Sequence, residues 1–143
     1  MSANLAGRLA SVQGRIAVAA EAAGRDPRGI TLISVSKTQP AEIVSEAVAA
    51  GAHDLGENRV QEAQAKKPGV RRARWHLIGP LQRNKARAAL EVFDVIHTID
   101  RLEIANRLQF LLEQHWPDRV LDVLLEVNVG DEPQKAGVSS ADA

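Results

Sequence analysis

Cysteine and tyrosine are both missing from this 143-residue chain, and aromatic residues are scarce, with two Trp and two Phe. Without cysteine there is no disulfide and no thiol chemistry, and a reducing compartment suits the chain. Neither charge sign is in excess, because Lys plus Arg and Asp plus Glu number 18 each. The overall balance therefore attracts neither nucleic acid nor an anionic membrane. The opening M-S-A-N-L-A-G-R-L-A has no basic start followed by an apolar run, so it does not read as a secretory signal. No later stretch approaches the ~18 apolar residues of a membrane span, and the cytoplasm is the expected location. The four histidines, His53, His76, His97 and His115, share no metal-ligand spacing, and no metal site is expected. Glycines are also absent where a phosphate loop would need them: S-K-T-Q-P follows the first apolar run, so the dinucleotide and P-loop fingerprints both fail.

What is present reads as one ordinary globular domain over residues 1–143, with 45% hydrophobic and 25% charged residues. Leu5, Leu9, Val12 and Ile16, continued by Ala19 and Ala20, mark one face of an opening amphipathic helix that Gly24 and Pro27 end. Five apolar segments follow: Thr31 to Ser36, Ala52 to Leu55, Arg74 to Ile78, Val95 to Thr98 and Leu121 to Val129. Helical patterns separate them. Ile43, Val44, Ala47 and Val48 form the first buried face; Ala86, Ala89, Leu90 and Phe93 form another, in a helix from about Asn84. Ile104, Ala105, Leu108, Leu111 and Leu112 form the last, closed by Pro117. Asn58 with Gln61, and Asp100 with Glu103, have capping-box spacing. Strands alternating with helices predict an α/β class with a parallel sheet, best read as an incomplete (β/α)8 TIM-type barrel of about five strands.

In such a barrel the functional face is the C-terminal end of the strands. Lys37, Asn58, His76 to Gly79 and Asn128 fall there, and the two-residue period pairs Lys37 with Val35 and His76 with Ile78 on one face. Lys37 has two readings: a strand-end lysine reaching solvent, or an amine desolvated by the surrounding strands and able to attack an aldehyde. Asn58 is explained by helix capping, His76 by a satisfied core histidine, and Asn128 with Glu126 by satisfied barrel polar groups. The basic run Lys66, Lys67, Arg71, Arg72 and Arg74 reads as a solvated loop.

Five ordered motifs carry a family resemblance: V-S-K-T at Val35 to Thr38, G-E-N-R-V-Q-E at Gly56 to Glu62, and W-H-L-I-G-P-L-Q-R-N-K at Trp75 to Lys85. H-T-I-D-R at His97 to Arg101 and N-V-G-D-E-P-Q-K-A-G at Asn128 to Gly137 complete the set. The chain thereby resembles the pyridoxal 5′-phosphate homeostasis protein family, whose fold is like the N-terminal barrel of alanine racemase. The resemblance implies that Lys37 holds pyridoxal 5′-phosphate as a Schiff base, with Asn58, His76 and Asn128 near the ring and Lys135 as a secondary contact. It implies a carrier or regulator of vitamin B6 with no catalytic residue assigned, mostly monomeric, and with no nucleic-acid or membrane partner. Gln39 stands where the family often has a lysine. The family continues for three more strands that hold its phosphate-gripping loops, so an open sheet with two free edges is expected, and with it a route to self-association.

Two other readings stay open. One is a truncated fragment with impaired cofactor binding. The other is a pyridoxal-phosphate-dependent amino-acid racemase or decarboxylase, against which stands the absence of the tyrosine that racemases of this type use.

Overall fold

The computed structural model describes residues 2–143. Helix α1 (Ser2–Ala22) precedes a sheet of five parallel strands: β1 (Ser34–Val35), β2 (Asp54–Glu57), β3 (Arg74–Leu77), β4 (Val95–Ile99) and β5 (Asp122–Leu125). The crossovers are α2 (Ala41–Ala49), α3 (Val60–Lys66), α4 (Ala86–Val92) and α5 (Leu102–His115). The strand order is β1-β2-β3-β4-β5, without reversal. Crossovers of one hand in an unreversed order place their helices on one side of the sheet, as in a barrel wall.

The core lies between that wall and the helices. Leu55, Trp75, Leu77 and Ile96 pack with Val44, Val48, Ala63, Ala89, Leu90, Ile104 and Leu108. The alternate residues Val35, Gly56, His76 and Val95 stand side by side in register on the other face. On that open face the edge residue Val35 is 51% exposed while Gly56, His76 and Val95 are buried, and all four residues of the other edge strand, β5, are exposed on both faces. The helix faces read from periodicity are the buried ones: Ala86, Ala89, Leu90 and Phe93 in α4 and its end, and Ile104, Leu108 and Leu111 in α5.

Several expectations need correction. The first strand is ordered as such only over Ser34–Val35, because β2 starts at Asp54 and residues 31–32 have no partner across the ladder. The fifth segment is not one strand. It leaves the main sheet at Glu126, and β6 (Val127–Asn128) pairs in parallel with β7 (Val138–Ser139). Gly137, at φ +108, lets this pair close, since a Cβ there would lie 2.7 Å from the Asn128 nitrogen. Neither capping box forms. Helix α3 starts after Arg59 and α5 after Arg101, neither with a side-chain cap. Asp100 instead accepts from the Arg101 guanidinium at 2.6 Å. Helix α1 has the expected span, but of its apolar stripe only Ala20 is buried and Val12 is 39% exposed.

Candidate functional site

The C-terminal end of β1 runs into a four-residue turn that carries Lys37. The Ser36 N–H donates to the Gly56 carbonyl at 3.0 Å, prolonging the pairing with β2, and the Gln39 N–H closes the turn on the Ser36 carbonyl at 3.1 Å. Thr38 sits at φ +64, a left-handed conformation that a β-branched side chain resists. Its N–H points to Glu62 Oε2 at 3.4 Å.

Beneath the turn is a buried polar cluster. Ser36 Oγ donates to Glu57 Oε1 at 2.7 Å, and Lys66 Nζ donates to Glu57 Oε1 at 2.7 Å and to the Ser36 carbonyl at 2.8 Å. Glu57 is wholly buried, and its Oε2 has no partner. The solvated-loop reading therefore fails at Lys66, which the last turn of α3 directs into the protein. Lys67 is also engaged, through the Val92 carbonyl. Lys37 itself is exposed and makes no side-chain hydrogen bond or ion pair among the described residues. Of the two readings of its position, a strand-end lysine reaching solvent describes the side chain seen here.

Asn58 follows β2 directly and is half-buried. Its backbone is pressed against Gly79, where a Cβ would lie 2.3 Å from the Asn58 carbonyl oxygen. This contact explains why the asparagine does not cap α3: it still belongs to the strand end. Thr98 Oγ1 donates to the Gly79 carbonyl at 2.7 Å, drawing the end of β4 to the same place.

His76 lies on the open face, as its parity with Ile78 predicts, but lower than the strand ends and buried. Its Nε2 is 2.8 Å from Asp54 Oδ1, and its Nδ1 is 2.9 Å from His97 Nε2. Which ring donates in the His76–His97 contact depends on the tautomer, since either ring nitrogen can carry the proton. Burial first, then the nearby His76 and Arg74, hold the His97 pKa below its ordinary value. Asn128 lies in β6, and its amide closes its own loop: Nδ2 donates to the Glu132 carbonyl at 2.9 Å and Oδ1 accepts from the Glu132 N–H at 3.2 Å. It follows the edge strand β5, whereas Lys37 follows the opposite edge β1. Lys135 pairs with Glu132 at 2.5 Å in the same loop.

A cleft of about 570 Å³ opens beside Asn58, lined by Arg59, Val60, Gln61, Glu62, Pro80, Gln82 and Lys85. Glu62 joins it to the Lys37 turn. The sequence motifs do not single out Arg59, Gln82 and Lys85, although these residues stand inside two of the strings, Gly56 to Glu62 and Trp75 to Lys85. Glu57 stands in the first of these strings and Lys66 in the basic run, but nothing local to either marks the pair they form. Among the described residues no group of three or more His, Asp or Glu side chains is arranged to hold a metal ion. No described helix is long and apolar enough to cross a membrane.

The family described as alanine racemase, N-terminal domain, matches residues 8–143. A pyridoxal phosphate homeostasis protein of Escherichia coli is 45% identical over 144 residues, covering 97% of this chain and 61% of the relative. A protein of the same name from Pseudomonas aeruginosa is 46% identical over 140 residues, covering 96% of this chain and 60% of the relative. Among solved structures, PipY of Synechococcus elongatus with pyridoxal phosphate bound superposes with a TM-score of 0.77 at 38% identity, covering 96% of this chain and 59% of that one. The chain thus spans about three-fifths of the length of the relatives it matches.

Proposed function

The chain belongs to the alanine racemase N-terminal domain family and, within it, to the group of the pyridoxal phosphate homeostasis proteins; from that premise we propose that it binds pyridoxal 5′-phosphate through Lys37 and serves the balance of that cofactor in the cytoplasm. One observation carries the reading: Lys37 presents an unengaged primary amine at the end of a parallel strand, on a turn fixed from below. When bound, pyridoxal phosphate supplies an aldehyde on an aromatic ring and an anionic phosphate.

The residues present fit such a group. Lys37 offers the amine. Asn58, half-buried beside the cleft, offers an amide able to donate and accept. Arg59 and Lys85 add positive charge to the same cleft. Gly79 keeps the ends of β2 and β3 together, which places Asn58 at the mouth. His76 and Asn128 belong to the proposed set in a weaker sense, because both already use their polar atoms within the fold. The open face is also the proposed route of self-association.

Incubation with the cofactor, borohydride reduction and peptide mapping test the proposal. The expected outcome is one dominant adduct, on Lys37, that Lys37→Ala abolishes. Label spread over surface lysines and unchanged in Lys37→Ala would overturn it.

A further inference from the structure

We propose that the buried pair Glu57–Lys66 is a positioning device for Lys37, acting on the backbone of Ser36. The inference deepens the reading of Lys37 as the cofactor-binding amine and rests on it.

Three features point the same way. The pair lies 2.7 Å apart among apolar side chains, with Glu57 wholly buried and its Oε2 unpartnered. Burying two charges is costly, and an apolar pair of similar volume serves a core as well or better. The pair is thus poorly explained by stability. Its contacts are specific instead: Lys66 grips the carbonyl of Ser36 and Glu57 grips its hydroxyl, so both ends of the pair act on the residue before Lys37. The turn that follows carries a strained residue, Thr38 at φ +64, at the third position, which turns usually give to glycine or asparagine. Strain of this kind persists only where the surroundings over-determine the conformation. Here the Ser36 carbonyl is held twice, by Lys66 Nζ and by the Gln39 N–H. Without the pair, the turn relaxes and the Lys37 amine samples many directions.

Amide hydrogen exchange at Gln39, whose N–H closes the turn, reads this without any cofactor. The comparison is between the unsubstituted chain, Ser36→Ala, Lys66→Met and the double variant Glu57→Leu/Lys66→Met. In the double variant the thermal midpoint is expected to stay near that of the unsubstituted chain while Gln39 exchanges roughly fivefold faster or more, as when one hydrogen bond is lost. Amides of Leu77 and Ile96 in the sheet are expected to keep their rates. A general loosening would instead accelerate all of them together. Ser36→Ala removes one hydroxyl and keeps the charge pair, so it gives a smaller acceleration of Gln39 even if Lys66→Met does not fold. Borohydride trapping at Lys37 is expected to fall in the same order as Gln39 protection. Unchanged Gln39 exchange in Ser36→Ala and in a stable double variant would overturn the proposal. Absence of trapping in the unsubstituted chain would reject the cofactor reading alone, and the exchange rates would still decide the role of the pair.

Discussion

Asp54, His76 and His97 come from three adjacent strands and form one hydrogen-bonded row on the open face. Charging His97 would place a second positive group beside Arg74 and oblige its ring to donate at both nitrogens, one of them already directed at His76. Its folded pKa lies below the ordinary value of 6.5, so the unfolded chain takes up the proton first as pH falls. Stability from this source is complete above that value. It is lost as pH drops from there through the folded pKa and then levels off. Urea unfolding at pH of about 7.5 and of about 5 is expected to show a smaller acid loss in His97→Gln than in the unsubstituted chain. Equal losses in both would remove His97 from the account. None of this row was legible in the sequence, where His76 stood only beside Trp75. Its partners are brought to it by strand register, which spacing alone does not reveal. Lys66 was misread for the same reason: Glu57 and Ser36 lie in other elements, and the run of basic residues around it looks like a loop.

At the scale of elements, what was legible was what is local. The faces of α4 and α5 follow from a 3.6-residue period within each segment, and Ile104, Leu108 and Leu111 are buried where that period puts them. Capping failed at Asn58 because another element decided its conformation: the end of β3 crowds the Asn58 backbone through Gly79. The break in the fifth apolar segment was equally hidden, since it depends on β7 and on Gly137, which come later in the chain. The junction of β2 and β3 can be tested directly. A Cβ at Gly79 meets backbone atoms of Asn58 at 2.3, 2.8 and 2.9 Å, none of which can swing aside like a side chain. Gly79→Ala is expected to destabilise the fold by about 2–4 kcal/mol, read from denaturant midpoints. Gly29→Ala, which meets nothing within 4 Å, serves as the control and is expected to stay within about 0.5 kcal/mol. Equal effects at the two positions would show that the close approach does not matter.

For the molecule as a whole, the sheet is finished at its centre and unfinished at its edges, on the open face at Val35 and, by its register with the core residue Ile96, on the helix face at Val123. Val35, Val123 and Leu125 are each more than half exposed, and β1 and β5 each have a neighbour on one side only. Apolar surface next to an unpaired strand edge is a template for another copy of the chain. Concentration-dependent association is expected in sedimentation, and the double substitution Val123→Lys/Leu125→Lys is expected to weaken it. A single monomeric species at every concentration would sink that expectation. The unreversed strand order has a further consequence, for the time at which structure can form. Each strand pairs with the one made just before it, across a loop of about twenty residues, so closing each ladder costs little chain entropy. Among the described strands β2 to β5 each pair with the strand before them, and a chain emerging from the ribosome can add these layers in the order in which they are synthesised.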